Sequence, residues 1–246
     1  MKEYTIDINA DVGEGVNNED QLMPYLSSCN IACGGHAGDD DSMRMVIKLA
    51  RQYKVKIGAH PSYPDTENFG RKPMDISCAA LYSSIKGQIK ALMNILREER
   101  LQMHHVKPHG ALNNIAAKDH DTATVIIEVM KSIPLPLQLY VPFGSVIAEL
   151  AKSENIPFTY EAFADRNYNE DLSLVSRDKA NAIITDPGKM ASHVINMVMN
   201  KKVKTIGGVE VPILARTYCI HGDNPAALKL IRSLKNKLQK SHIKIQ

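Results

Sequence analysis

Short apolar runs alternate along the chain with longer segments in which apolar residues recur every three or four positions. The short runs end in polar clusters, as at residues 4–11, 55–60, 106–110 and 218–223. Short apolar runs indicate buried strands, whereas a period near 3.6 indicates amphipathic helices. The alternation predicts a mostly parallel sheet with helices between its strands.

Six segments have the helical period. They cover residues 41–52, 76–100, 119–132, 145–153, 187–199 and 225–240. Pro187 and Pro225 stand at the first position of two of these segments, where a missing N–H has no effect on the helix. Further apolar segments at residues 137–141, 157–163 and 182–185 bring the expected number of strands to about eight.

One segment, residues 202–214, departs from this alternation. Its sequence KVKTIGGVEVPIL has alternating valines and isoleucines around Gly207 and Gly208, which predicts a β-hairpin.

Elsewhere, polar clusters follow strands throughout the chain and not at a single switch point. This favours a closed or nearly closed β/α barrel with a site at the carboxyl ends of its strands.

Length and charge narrow the class of protein. The chain has 246 residues, 44% of them hydrophobic, so we expect one α/β domain spanning residues 1–246. Its 30 basic and 27 acidic residues give a net charge of +3, which does not favour nucleic acid or a membrane as a partner. The absence of a signal-peptide pattern and of a long apolar run predicts a cytoplasmic protein.

Several motif classes are missing from the sequence. There is no G-x-S-x-G, no G-x-x-x-x-G-K-[ST] and no H-E-x-x-H, which disfavours a serine hydrolase, a P-loop ATPase and a zincin. The spacing after Gly13 lacks the third glycine of a dinucleotide fingerprint. The four cysteines form no C-x-x-C pair and lie in apolar surroundings, which predicts buried thiols without disulfides.

Polar residues in the first strand are candidates for chemistry. Asp7, Asn9 and Asp11 alternate in DINADVGEG and would share one face of an extended strand, with Glu14 just beyond them. Such a face can bind a cation or supply a general acid and base. Turn and capping residues are the alternative interpretation.

Four of the nine histidines, His36, His60, His109 and His221, each follow a strand with glycine or proline beside them. One such histidine is usually structural, but four in equivalent positions predict that at least two meet in one pocket. Five acids accompany them: Asp11, Asp39, Asp65, Asp165 and Asp223. Together these groups could hold a divalent metal or orient imidazoles for proton transfer, and the sequence does not choose between the two.

Positive charges occur in the same segments. Lys107, Arg71 and Arg166 suit a substrate carboxylate or a phosphoryl group. The alternative is that these side chains are solvated at the surface. This is least expected for Lys107, which ends an apolar strand between Val106 and Pro108.

Seven segments, taken in order and spacing, resemble the LamB/YcsF family over most of the chain. They are DINADVGEG, NIACGGHAGD, GAHPSYPD, NFGRK, VKPHGAL, EAFADRNY and CIHGDNPAA. The resemblance implies a deformed β/α barrel of the glycoside hydrolase/deacetylase type. It also implies ATP-dependent 5-oxoprolinase activity, in which the lactam of 5-oxoproline is hydrolysed to L-glutamate with conversion of ATP to ADP and phosphate. The implied partners are subunits B and C of that enzyme.

The resemblance and the residue patterns together give a set of expected roles. The expected catalytic residues are Asp11, His36, His60, His109 and Lys107, and the expected substrate-binding residues are Asn9, Glu14, Arg71, Asp165, Arg166, His221 and Asp223. Asp11 or His109 is expected to act as the base, and His36 and His60 as proton donors or metal ligands. ATP is expected as a co-substrate bound by the partners, and a divalent metal is left open.

Two other functions remain open at this stage. One is a metal-dependent, deacetylase-like hydrolase that works without ATP, and the other is a non-catalytic subunit that binds 5-oxoproline. The chain also departs from the family pattern: Gly35 replaces a phenylalanine, Asn68 a glycine and Asn113 a tyrosine. The loss of two aromatic rings is expected to change how a flat lactam is held.

Overall fold

Seven parallel strands close into a barrel in the computed structural model, which describes residues 3–246. In chain order the strands are β1 (Tyr4–Val12), β2 (Ser28–Ala32), β3 (Lys56–His60), β4 (His105–Val106), β5 (Gln138–Pro142), β6 (Phe158–Phe163), β7 (Lys202–Lys204), β8 (Glu210–Pro212), β9 (Thr217–Cys219) and β10 (Ile243–Ile245). Strands β1 to β6 pair in sequence, and β9 pairs with both β6 and β1. The predicted α/β barrel is therefore confirmed.

Helices connect most of the barrel strands. They are α1 (Glu19–Leu22), α2 (Asp40–Tyr53), α3 (Cys78–Glu98), α4 (Gly110–Ala116), α5 (His120–Lys131), α6 (Val146–Ser153), α7 (Pro187–Asn200) and α8 (Ala227–Lys240). All six predicted helices are present with ends shifted by a few residues, while α1 and α4 are too short to produce a clear period. Asp39, Asp119 and Asp186 cap α2, α5 and α7 by accepting a backbone N–H.

The barrel interior is polar on the side of β1 that carries its odd-numbered residues. Asn9 is fully buried and donates to Glu161 Oε1 at 2.9 Å and Thr217 Oγ1 at 2.7 Å, two side chains on neighbouring strands. Ile8, on the opposite face of β1, belongs to the apolar core between the barrel and its helices. The alternation along β1 therefore separates a polar interior from an apolar exterior.

Two predictions for the last third of the chain have opposite outcomes. The predicted hairpin is confirmed, because β7 and β8 pair antiparallel with Val203 opposite Val211. The predicted strand at 182–185 is wrong. Its backbone bonds instead to a loop, through Asn167 N to Ala182 O and Ile184 N to Asp165 O, because β9 already occupies the edge of β6.

The cysteines are all free, as predicted. Cys29, Cys33 and Cys219 are buried, but Cys78 is exposed as the first residue of α3, so the prediction of burial is wrong there. Within residues 3–246, no helix combines the length and apolar composition that a membrane crossing requires.

Asp7, below the polar interior, supports a prediction about stability. Its Oδ2 is buried without a partner among residues 3–246, and burial raises its pKa against the lowering effect of bonds from Thr217 and Ser28. A raised pKa means that the folded state holds this proton to higher pH than the unfolded state, so folding stability falls as pH rises above about 4. We expect Asp7→Asn to raise the free energy of unfolding by roughly 1 kcal/mol at pH 8, and by less at pH 5.

Urea denaturation of both proteins at the two pH values measures this effect. A variant that is less stable than the parent at pH 8 would contradict it.

Candidate active site

A cleft of about 240 Å³ opens at the carboxyl ends of the barrel strands. Eight of the twelve predicted site residues line it: Asp11, Glu14, His60, Arg71, Lys107, His109, Arg166 and His221. The other four each bond to one of these eight: Asn9 to Lys107 at 3.4 Å, His36 to Glu14 at 2.8 Å, Asp165 to His221 at 2.9 Å and Asp223 to Arg71 at 2.6 Å. The structure therefore brings the whole predicted set together in and directly behind one cleft.

Lys107 forms the charged floor of the cleft. Its Nζ lies 2.8 Å from Asp11 Oδ1, 3.1 Å from Glu161 Oε1 and 3.0 Å from Cys219 Sγ, and the residue is only 2% exposed. Burial alone would lower the pKa of Lys107, but the charges of Asp11 and Glu161 outweigh it and hold the pKa well above its usual value. The side chain is therefore a permanent cation between two buried acids.

Asp11 keeps one oxygen for the cleft. Its Oδ1 accepts from Lys107 and from Asn30 Nδ2 at 2.7 Å, while Oδ2 lies 3.3 Å from His60 Nε2. Burial would raise the pKa of Asp11, but His60 and Lys107 outweigh it and hold the pKa well below its usual value. A carboxylate that stays ionised at neutral pH suits a proton acceptor better than a proton donor.

His60 and His109 have their tautomers set by backbone carbonyls. His60 Nδ1 is 2.7 Å from Lys107 O, and His109 Nε2 is 3.0 Å from Phe69 O, so both of these nitrogens donate. When both rings are neutral, their other nitrogens, His60 Nε2 and His109 Nδ1, carry lone pairs and face each other at 2.9 Å. Two lone pairs at this distance repel unless a cation or a shared proton stabilises them.

Glu14 and His36 complete this group. Glu14 Oε1 lies 3.4 Å from His109 Nδ1 and 3.9 Å from His60 Nε2, and 2.8 Å from His36 Nε2. The rings of His36 and His109 are stacked at 3.6 Å, and burial lowers the pKa of both, so both are neutral near pH 7. Ligand atoms bound at about 2.0–2.2 Å to one ion lie roughly 3 to 3.6 Å apart. The separations among Glu14, His60 and His109, 2.9 to 3.9 Å, bracket that range, so these three residues suit a divalent transition metal, with His36 bonded to Glu14 behind them.

Gly70 and Gly110 allow the surrounding loops to approach closely. Gly110 has a φ of +52°, and a Cβ there would lie 2.6 Å from Gly70 O. Gly70 has a φ of +60°, and a Cβ there would lie 3.0 Å from His36 Cβ and 3.1 Å from His109 Cδ2. A side chain at either position would push the loop that carries Phe69 away from His109, whose imidazole donates to Phe69 O.

Asp165 and His221 form a hydrogen-bonded pair beside the cleft. Asp165 is fully buried and accepts from His221 Nδ1 at 2.9 Å, His221 N at 3.2 Å and Asn224 Nδ2 at 3.0 Å. Burial would raise the pKa of Asp165, but these partners outweigh it and lower the pKa. The His221 ring also stacks on Phe163, with ring centroids 5.4 Å apart.

The mouth of the cleft carries an excess of positive charge. Asp223 Oδ2 accepts from both Arg71 at 2.6 Å and Arg177 at 2.9 Å. Arg166 is buried and donates from Nη2 to Val175 O at 2.6 Å, which ties down the loop that carries Arg177. Because two guanidinium groups share one carboxylate, a second anion can be bound there.

Several residues of the site were not predicted as such: Asn30, Glu161, Cys219, Arg177 and Asn224. Glu161 could have been found, because a glutamate inside the buried strand FTYEAF has to meet a cation or a donor. Asn30 stands in an apolar strand in the same way. Arg177 gives no such signal, because it lies on a loop whose path the sequence does not determine.

Comparison with known proteins identifies the family. The model of the LamB/YcsF family matches residues 6–246. The chain belongs to the LamB/YcsF family. It is 42% identical over 246 residues to the A subunit of 5-oxoprolinase from Limosilactobacillus fermentum, with 98% of each chain covered, and 38% identical over 245 residues to the protein of the same name from Pyrococcus abyssi, with 98% of this chain and 96% of that protein covered.

A solved structure agrees with this LamB/YcsF assignment. The lactam utilization protein from Thermus thermophilus superposes with a TM-score of 0.91 at 35% identity, covering 98% of this chain and 99% of that chain.

The structure also places the departures from the LamB/YcsF pattern. A Cβ at Gly35 would lie 2.4 Å from Gln88 Oε1, and the Gln88 amide bonds to the backbone N and O of Ser62. Gln88 therefore fills the space that a side chain at position 35 would need. Asn68 bonds to Asp65 at 3.0 Å in the turn before Phe69, and Asn113 lines the cleft.

Proposed function

We propose that this chain is the A subunit of an ATP-dependent 5-oxoprolinase, which hydrolyses the lactam of 5-oxo-L-proline to L-glutamate. The carrying observation is the match, over 98% of both chains, to a relative named as the A subunit of 5-oxoprolinase. The cleft supports the proposal, because it offers a buried carboxylate, a buried ammonium and imidazoles around a space suited to a small polar ring. Subunits B and C are the proposed partners.

In the proposed chemistry, ATP first phosphorylates the amide oxygen, because a resonance-stabilised lactam reacts slowly with water. Asp11 Oδ2 then accepts a proton from the attacking water, while Lys107 keeps Oδ1 occupied and the carboxylate oriented. Because the sequence has no phosphate-binding loop, we assign ATP binding to the partner subunits.

We further propose that Glu14, His60 and His109 bind a divalent metal, with His36 orienting Glu14. Such an ion would act as a Lewis acid toward a carbonyl or a water molecule. If it binds, the folded chain is stabilised by mass action, by about 2.7 kcal/mol when the free ion is at 100 times its Kd.

Thermal unfolding of EDTA-treated protein with added Mn²⁺, Co²⁺, Ni²⁺ or Zn²⁺ tests this proposal. We expect at least one ion to raise the Tm of the parent and of His120→Gln, an exposed control, but not that of Glu14→Gln or His109→Gln. If no ion raises the Tm of the parent, the metal proposal fails.

The function itself is tested by glutamate release from 5-oxoproline with and without ATP. The assay compares this chain alone, subunits B and C together, and all three mixed. Release only in the full mixture with ATP supports the proposal. Release by this chain alone without ATP would support a metal-dependent hydrolase instead, the alternative favoured by the cluster at Glu14. If subunits B and C release glutamate equally well without this chain, this chain has no catalytic role.

The arginines at the cleft mouth are proposed to bind the carboxylate of the substrate. Removal of one charge-assisted hydrogen bond is worth about 1.5–3 kcal/mol, so Arg177→Gln should raise KM for 5-oxoproline by roughly 10- to 100-fold with kcat changed far less. Arg44→Gln is the matched control, because Arg44 pairs with Glu98 on the exposed surface. An unchanged KM in Arg177→Gln would place the substrate carboxylate elsewhere.

A further inference from the structure

The imidazole of His221 is held by a buried acid and has one nitrogen left for the cleft. Asp165 accepts from His221 Nδ1, so Nδ1 carries the proton in the neutral ring. Nε2 has no hydrogen-bond partner among residues 3–246, and His221 lines the cleft. Nε2 is therefore the atom of this pair that a bound substrate can reach.

The orientation of the ring is fixed from three directions. Asp165 is fully buried, and His221 N and Asn224 Nδ2 both donate to its Oδ2. Phe163 stacks on one face of the imidazole with an interplanar angle of 13°. Because the acid behind the ring already accepts three hydrogen bonds, it stabilises the doubly protonated imidazolium better than it accepts a proton itself.

His221 stands close to Asp11 across the cleft. A ligand atom of His221, a carboxylate oxygen of Asp11 and Cys219 Sγ all lie within 4.8 Å of one another. Asp11 is committed to Lys107 and Asn30 through Oδ1 and offers Oδ2 as an acceptor. The cleft therefore has an acceptor and a potential donor facing one small space, which is the arrangement that hydrolysis of an amide needs.

This inference rests on the proposed function, the opening of a lactam. That reaction cannot finish until the ring nitrogen receives a proton. Water adds its oxygen to the carbonyl carbon and gives a proton to Asp11. The C–N bond then breaks with its electron pair moving to nitrogen, which would leave as a very basic amide anion unless protonated. This need is the same whether or not the carbonyl oxygen has been phosphorylated first.

We propose that His221, held by Asp165, donates the proton from Nε2 to the ring nitrogen as the C–N bond breaks. The imidazolium becomes neutral imidazole, the nitrogen becomes the amine of the product, and the proton taken by Asp11 from water returns to His221 through solvent. For the lactam itself, the sum is one water consumed and one C–N bond hydrolysed. Where ATP has placed a phosphoryl group on the carbonyl oxygen, C–N cleavage gives an acyl phosphate, and a second water converts it to the carboxylate and inorganic phosphate. Asp165 is a positioning residue, and His221 is the catalytic acid.

The test uses the complete three-subunit enzyme and measures two products, glutamate and ADP. Loss of a general acid typically lowers a rate by 10²- to 10⁴-fold, so we expect His221→Gln to release glutamate about 100-fold more slowly or worse. A phosphorylated lactam that is not cleaved can lose its phosphate to water and be phosphorylated again, so ADP formation should fall much less than glutamate release and the ratio of ADP to glutamate should rise above that of the parent. Asp165→Asn should shift the same ratio in the same direction with a smaller loss of rate, and His120→Gln should change neither quantity.

Three outcomes separate the role of His221 from the proposed function on which it rests. A parent enzyme that releases no glutamate would remove the proposed function. A parent that is active while His221→Gln stays within a few-fold of it would overturn the inference alone. An equal loss of ADP and glutamate in both His221→Gln and Asp165→Asn would also overturn it, because a merely structural defect lowers both products together.

Discussion

Replacing Asp11 by asparagine is expected to lower kcat for glutamate release by about 10³-fold, within the range for removal of a general base. Asparagine preserves the size of the side chain, and its Oδ1 can still accept from Lys107 and from Asn30. The carboxylate oxygen that faces the cleft becomes an amide nitrogen, which cannot take a proton from water. Glu161 remains beside Lys107, so the buried ammonium keeps a counter-charge.

Initial rates with all three subunits measure the effect, and thermal unfolding checks that the variant is folded. Asp41→Asn is the matched control, because Asp41 lies in the first turn of α2, away from the cleft. A folded Asp11→Asn that keeps more than a tenth of the parent rate would show that the acceptor lies elsewhere, with His109 as the next residue to test.

The barrel could be predicted because local patterns repeat. Residues Asp7, Asn9 and Asp11 alternate with apolar neighbours on β1, and histidines lie at the end of β3 and just after β4 and β9. Parallel strands put their carboxyl ends together, so these residues had to converge once the barrel was inferred. The error at 182–185 has the opposite origin, because an apolar tetrapeptide does not reveal that β9 occupies the adjacent edge.

The arrangement inside the site could not be predicted in the same way. Spacing places His60 and His109 at strand ends, but their tautomers depend on the carbonyls of Lys107 and Phe69, which reach them through tertiary packing. The role of Glu161 depends equally on its contact with Lys107, which follows β4, a strand that is not adjacent to β6 in the barrel. Residue type and period therefore predict which groups gather, and the fold determines which atoms bond.

Lys107 gives the second large expected effect, which concerns stability. Removal of one partner from a buried ion pair costs about 3–5 kcal/mol, because the remaining charge is left without compensation. We expect Lys107→Met to lower the free energy of unfolding by about that amount, since Asp11 and Glu161 would then face each other without a cation. The loss should shrink as pH falls, because protonation of these carboxyls removes the repulsion.

Denaturant unfolding of the single and double variants separates the charge effect from lost packing. Lys107→Met with Glu161→Gln should regain at least half of the loss, because glutamine still accepts from Asn9 without carrying a charge. Lys118→Met, which breaks the exposed pair with Asp171, should cost about 1 kcal/mol or less. If the double variant is as unstable as Lys107→Met, the ammonium stabilises the barrel through packing, and the charges around it serve the cleft alone.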